Sequence, residues 1–195
     1  MQPSRKHCTL LLLRAPHPIT GEDSLLLGNK LRGFGMGKLN GFGGKVDPGE
    51  PLLAAALREM QEESGLTLPP PSARHVGHLV FTFEGRPAEE LHVHVFAGAP
   101  PFSGVAAASE EMEPSWWPAS APPVHRMWAD DAHWLPLLLA GKRFAGRFHF
   151  EGHQAIKRFE LRELGEGEAV CEEVGDPATT VLVPAGAAPQ SAIDF

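Results

Sequence analysis

Three glutamates stand at helical spacing in this chain: Glu59, Glu62 and Glu63. At i, i+3 and i+4 they gather on one side of a helix. Three carboxylates held close repel one another, and a hard cation relieves that repulsion. Mg2+ suits the task because it prefers carboxylate oxygens together with substrate phosphates; Mn2+ is the expected substitute. Arg58, next to them, can make charge-assisted bonds that fix the direction of an acid. Glutamates alone would more often be a solvated helix face. The surrounding spacing changes that balance. From Gly44 the chain fits G-x5-E-x7-R-E-U-x-E-E-x-G-U, where U is a bulky aliphatic residue. Gly44, Glu50, Arg58, Glu59, Met60, Glu62, Glu63, Gly65 and Leu66 fill every fixed position. Gly41, Gly43 and Gly44 precede the helix and allow close backbone approach to a ligand.

The elements that must position these groups follow from local pattern. Pro51 is tolerated at a first helical position. Leu53, Leu57 and Met60 make a buried stripe, and Gly65 ends the helix, which covers roughly residues 51–64. Residues 7–13 read as a buried strand and 24–27 as its hairpin partner. Residues 33–44 form a glycine-rich loop carrying Phe34 and Phe42. Residues 74–84 and 91–98 read as two strands joined by a turn. A strand is expected near 115–117 and a second helix over 130–140. Strands at 144–150 and 156–164 follow, with Phe144, Phe148 and Phe150 at period two. Strands with two helices predict an α+β fold. His92 and His94 share one strand face and mimic a metal pair, but the sequence offers no third ligand, and an ordinary half-buried strand is the preferred reading.

The 195 residues are 43% hydrophobic with a net charge of −7. That supports one sizeable core, expected over residues 1–164, and argues against a nucleic-acid polymer as partner. Residues 165–195 hold six acids and no Lys or Arg, leaving about −1 for residues 1–164. This acidic, Gly-, Ala- and Pro-rich stretch reads as a flexible tail, with residues 179–183 as a short extended piece. Cys8 and Cys171 match no metal spacing and indicate a reducing compartment. No apolar run approaches membrane-spanning length. The expectation is a soluble monomer, cytoplasmic, with nuclear or organellar shares allowed.

The pattern from Gly44 to Leu66 resembles the Nudix box, the signature of hydrolases that cut nucleoside diphosphates linked to another group. Further segments narrow the likeness: KLRGFGMGKLNGFGGKV from Lys30, VFTFEG from Val80, LHVHVF from Leu91, SEEMEPSWW from Ser109 and MWADDAHWLPLLLAGKRFAGRFHFEG from Met127. In this order and spacing, residues 5–164 are similar to the animal oxidised purine nucleoside triphosphate hydrolases, the 8-oxo-dGTP diphosphatases of the Nudix family. The resemblance implies an α/β/α sandwich around a mixed central β-sheet. It implies Mg2+-dependent hydrolysis of oxidised purine nucleoside triphosphates to the monophosphate and pyrophosphate. Glu59, Glu62, Glu63, Glu111 and Gly43 match the metal site, and Arg58, Glu59, Glu63 and Glu111 the catalytic set, with Glu63 or Glu111 as base. Asn40, Asp130 and Asp131 match base-reading groups. Trp128 and Phe34 match the base walls, with Phe81, Phe83, Leu91, Met112 and Trp134 nearby. Thr9 and Lys30 match positions close to the nucleotide. Leu39 stands where the animal enzymes carry Trp, and Leu91 where they carry Met. The rivals are a Nudix hydrolase of a methylated purine nucleotide, ADP-ribose or a dinucleoside polyphosphate, and a nucleotide-binding module without catalysis.

The residues themselves agree with this. Trp128 can stack on a purine face. Guanine offers N1–H and amino donors, which Asp130 and Asp131 can accept. Repulsion between the two in a partly apolar pocket should raise the pKa of one. A protonated Asp can donate to an adenine-like acceptor, so one pair could read both oxidised bases by moving a proton. Asp also caps helices, and one cap with one reader is the alternative.

Overall fold

The structure is a computed structural model that describes residues 4–86, 89–170 and 183–184. Nine strands and two α-helices are present among the described residues: β1 (Ser4–Pro16), β2 (Asp23–Lys30), β3 (Leu39–Asn40), α1 (Leu52–Ser64), β4 (Ala73–Phe83), β5 (Glu89–Gly98), β6 (Met112–Pro118), α2 (Asp131–Leu139), β7 (Arg143–Glu151), β8 (Ala155–Leu164) and β9 (Val183–Pro184). The strands join one sheet in the order β3-β2-β1-β5-β4-β7-β8-β9, and β6 pairs with β2. β1 runs parallel to β5 and β4 parallel to β7, while the remaining pairs are antiparallel. The sheet is therefore mixed, as expected. No helix among the described residues is long and apolar enough to cross a membrane.

Strand alternation divides the core into two layers. Leu10 and Leu12 of β1, with Leu25 and Leu27 of β2, face Trp134, Leu135 and Leu138 of α2. Leu11, Leu13 and Leu26 face the other way, against Phe42 and against Ala56 and Met60 of α1. The α+β sandwich thus follows from the period-two apolar runs of its central strands.

Helix α1 departs from the expected stripe. Its buried residues are Ala55, Ala56, Met60, Glu63 and Ser64, whereas Leu53 and Leu57 are half-buried at the edge. The small alanines let the helix lie close to the sheet, so the contact line runs through them. Pro51 has ψ 141°, so it is the extended residue before the helix and not its first turn. Gly65 ends α1 in the left-handed region at φ 77°, which glycine adopts without steric cost.

Strand β8 ends at Leu164, after which Gly165 and Glu168 form a turn against the sheet. Arg162 donates to Glu168 Oε1 at 2.6 Å and Arg143 to the Glu168 carbonyl at 2.8 Å. Val183 and Pro184 pair with Phe159 and Arg158 of β8. The rest of the expected tail, 171–182 and 185–195, lies outside the described residues, and with it Cys171.

Phe42 is fully buried between β1 and α1. Phe42→Ala should lower the unfolding free energy by about 3–5 kcal/mol, read from urea unfolding. A loss below about 1 kcal/mol would mean the two layers do not depend on this ring.

Candidate active site

Loop 42–46 runs beside β1 as an extra edge. Thr9 N donates to Gly44 O at 2.9 Å, Leu11 N to Phe42 O at 2.7 Å, and Val46 N to His7 O at 3.0 Å. A Cβ at Gly43 would overlap the Thr9 carbonyl, and one at Gly44 would strike the Glu59 carboxylate. Glycine is therefore required at position 43, where the atoms in the way are backbone, for this approach. It brings Gly43 N to 2.9 Å from Glu63 Oε2.

The three glutamates of α1 occupy different environments. Glu63 is buried at 4% exposure, whereas the Glu62 side chain is 59% exposed. Arg58 ties the group together. Its Nε and Nη2 take both oxygens of Glu50, at 2.9 and 3.0 Å, while Nη1 reaches Glu59 at 2.9 Å and Glu62 at 3.1 Å. The bidentate Glu50 bond, followed by the Glu59 bond, holds this guanidinium firmly charged. Lys30 Nζ lies 2.8 Å from Glu111 Oε2 and 3.2 Å from Glu63 Oε1, so Glu111 joins the box acids in space. Burial pushes the Glu63 pKa up, against the Gly43 N–H and the Lys30 charge. Lys30 and then Arg32 hold the Glu111 pKa down.

The oxygen donors of Glu59, Glu62, Glu63, Glu111 and the Gly43 carbonyl suit a hard divalent cation. As placed, the acids are turned toward Arg58 and Lys30. No three His, Cys, Asp or Glu among the described residues already converge as ligands.

A cavity of about 230 Å³ opens beside this group on the α2 side of the sheet. Gly43, Gly44, Lys30 and Thr9 line its end toward the acids. Asn40, Asp130 and Asp131 line it further in, and Phe81, Phe83, Leu91, Met112, Trp128 and Trp134 form its apolar walls. Phe34 is 61% exposed and stacks on Trp128 with centroids 4.9 Å apart. Every nucleotide-binding residue expected from the sequence therefore borders one cavity, whereas Arg58, Glu59, Glu62, Glu63 and Glu111 flank its metal-facing end.

Asp130 and Asp131 are buried, at 6% and 2% exposure. Asp130 precedes α2 but makes no side-chain cap; its Oδ2 accepts the Trp134 indole N–H at 2.9 Å. Asp131 Oδ2 accepts the Trp128 backbone N–H at 2.8 Å. Neither bond is the helix cap considered from the sequence. Burial raises both pKa values, and for Asp131 the charge of Asp130 adds to the rise. Trp134 is a core residue at 1% exposure that also fixes Asp130. Asn40 Oδ1 accepts from Gly41 N at 2.9 Å, which leaves its NH2 as the group for a ligand.

Sequence reasoning missed Lys38 and His153. Lys38 Nζ lies 4.9 Å from the Trp128 ring centroid and donates to Met127 O at 3.0 Å. His153, in the turn between β7 and β8, sits 5.0 Å from Phe34 and 5.6 Å from Phe83 and lines the cavity. A lysine in a glycine loop and a histidine in a hairpin turn carry no local pattern that marks them.

A sheet sandwich with this glycine loop, acidic helix and adjoining cavity defines a phosphoanhydride hydrolase site. The chain belongs to the NUDIX domain family, whose match covers residues 11–138. It is 45% identical over 159 residues to the oxidized purine nucleoside triphosphate hydrolase of Danio rerio, covering 82% of this chain and 96% of that protein. The Mus musculus protein of the same name is 43% identical over 156 residues, covering 80% and 94%. The fold is like that of the MutT protein from Bacillus halodurans, at a TM-score of 0.68 and 24% identity over 80% of this chain and 97% of that one.

Gly43→Ala should separate loop 42–46 from β1 and break the Gly43–Glu63 bond. Turnover should fall by about 100-fold or more, with a stability loss of about 1–3 kcal/mol. Unchanged turnover would show that Glu63 needs no such anchor.

Proposed function

We propose that this chain hydrolyses oxidised purine nucleoside triphosphates with Mg2+, releasing the nucleoside monophosphate and pyrophosphate. The observation that carries the reading is continuity. One cavity reaches from buried Asp130 and Asp131 to Gly43 and Lys30, which touch Glu63. The names of the Danio rerio and Mus musculus relatives support the same substrate class.

The chain's own groups would act as follows. Phe81, Phe83, Leu91 and Trp128 exclude water around the base, and Trp128 offers a stacking face. The Asn40 amide donates to an acceptor on the base. Asp130 and Asp131, sharing protons, accept from a guanine-type edge or donate once to an adenine-type edge. Glu59, Glu62, Glu63, Glu111 and the Gly43 carbonyl would hold Mg2+, which supplies neutralising charge at the phosphate oxygens. Lys30 is the ammonium nearest the triphosphate end and adds to that charge. Arg58 and Glu50 keep the acids aimed. Glu63 or Glu111 takes the proton from the attacking water.

The test is steady-state release of the nucleoside monophosphate from 8-oxo-dGTP, 2-hydroxy-dATP, O6-methyl-dGTP, dGTP and ADP-ribose, compared as kcat/KM. The oxidised purines should exceed dGTP by about tenfold or more, a discrimination that a site built around buried hydrogen bonds readily supplies. Glu63→Gln should lower turnover by orders of magnitude while the protein stays folded. Preference for ADP-ribose or for O6-methyl-dGTP would replace this substrate, and nucleotide binding without turnover would make the chain a binding module.

A further inference from the structure

Five histidines meet on the α1 side of the sheet, away from the cavity. His7 comes from β1, His92 and His94 from β5, and His75 and His78 from β4. Ring centroids are 5.0 Å apart for His7 and His92, 5.2 Å for His92 and His78, 4.8 Å for His78 and His94, and 5.4 Å for His94 and His7. His75 lies 5.3 Å from His94. His7 Nδ1 is 3.0 Å from His94 Nε2, and His78 Nε2 is 3.0 Å from His92 Nδ1. His7 pairs with His94 and His78 with His92 ring to ring, while His75 Nε2 lies 3.1 Å from Gly77 O.

The bonds fix a proton pattern. His92 Nε2 lies 3.4 Å from Glu90 Oε2 and so donates to it. Its Nδ1 then accepts from His78 Nε2–H, which leaves the His78 Nδ1 lone pair. That nitrogen is buried without a hydrogen-bond partner among the described residues. An added proton there would be an uncompensated buried charge. Facing the cluster are Arg5 of β1, Glu90 of β5 and Arg147 of β7. Glu90 is already shared between Arg147 at 3.0 Å and Arg5 at 3.7 Å. Burial, then the neighbouring histidines of the cluster, pushes His94 down to about 3 and His78 to about 4. Burial also lowers His92 and His75.

Strand β1 has this cluster on one side and the catalytic loop on the other. His7 O and Thr9 N, which flank Cys8, bond Val46 and Gly44. We propose that the histidine cluster is an acid-sensitive clasp, which when neutral binds β1 to β5 and β4 and when charged releases β1 together with the catalytic loop it holds.

The sign follows from linkage. In the unfolded chain imidazoles titrate near about 6.5, and in the fold burial holds His75, His78, His92 and His94 lower. Their contribution to stability is present above that value and is lost as pH falls toward the folded values. Each histidine kept neutral should raise the unfolding constant about tenfold per pH unit below it.

The experiment is urea unfolding between pH 7.5 and 5, for the full chain and for His78→Gln/His92→Gln, which keeps neutral polar groups but removes the titration. The wild-type unfolding constant should rise steeply below pH 6.5, and the double variant should show about two fewer protons taken up on unfolding. Mn2+ affinity, used as a probe of the glutamates, should fall more between pH 7.5 and 5.5 in wild type than in the variant. Equal proton uptake in both proteins would overturn the clasp. Should the variant not fold, imidazole NMR titration of the wild type decides. Signals of His78 and His94 that stay neutral until unfolding support the clasp, and titration near 6.5 in the folded protein contradicts it.

Discussion

Removing a carboxylate from water is costly unless bonds replace its hydration. This molecule does so three times around one cavity, at Glu63, Asp130 and Asp131. Each has a specific compensation: the Gly43 N–H and Lys30 for Glu63, the Trp134 indole for Asp130, and the Trp128 N–H for Asp131. The compensation is incomplete, since burial still raises all three pKa values. That residue of unfavourable charge is what a cation or a base with donors can relieve. The site is thus prepared for ligands because its acids are left underserved.

Strand β1 links the parts. Its even leucines pack toward α2 and its odd leucines toward α1, while its backbone carries loop 42–46. The metal-facing and base-facing ends therefore share one rigid element. The histidine cluster loads the same strand from the α1 side, so charge on that face bears directly on the loop.

The sequence made the box legible because its residues are local: one loop and one helix hold them at fixed spacing. Core strands were legible for the same reason: β1 carries a continuous apolar run, and β7 places Phe144, Phe148 and Phe150 at period two. Assemblies built by register were not. His75 and His78 are three apart, so plain alternation would place them on opposite faces. A register shift between His75 and Gly77 puts them on the same one. Glu111, just before β6, meets Glu63 of α1 through Lys30 at the end of β2. Lys38 and His153 reach the cavity from loops whose path no periodicity specifies. The position of Asp130 also suits a helix cap, the alternative to base reading, but its carboxylate accepts the Trp134 indole N–H instead.

Base reading at this cavity depends on Asp130 and Asp131 forming one desolvated pair, in which burial raises both pKa values. Carbon-13 NMR titration of the aspartate carboxyl groups, with Asp130→Asn and Asp131→Asn for assignment, measures this directly. At least one carboxyl of the pair should titrate well above the ordinary aspartate range, and replacing its neighbour by Asn should lower that value. Both carboxyls titrating near about 4, each indifferent to the other, would contradict it.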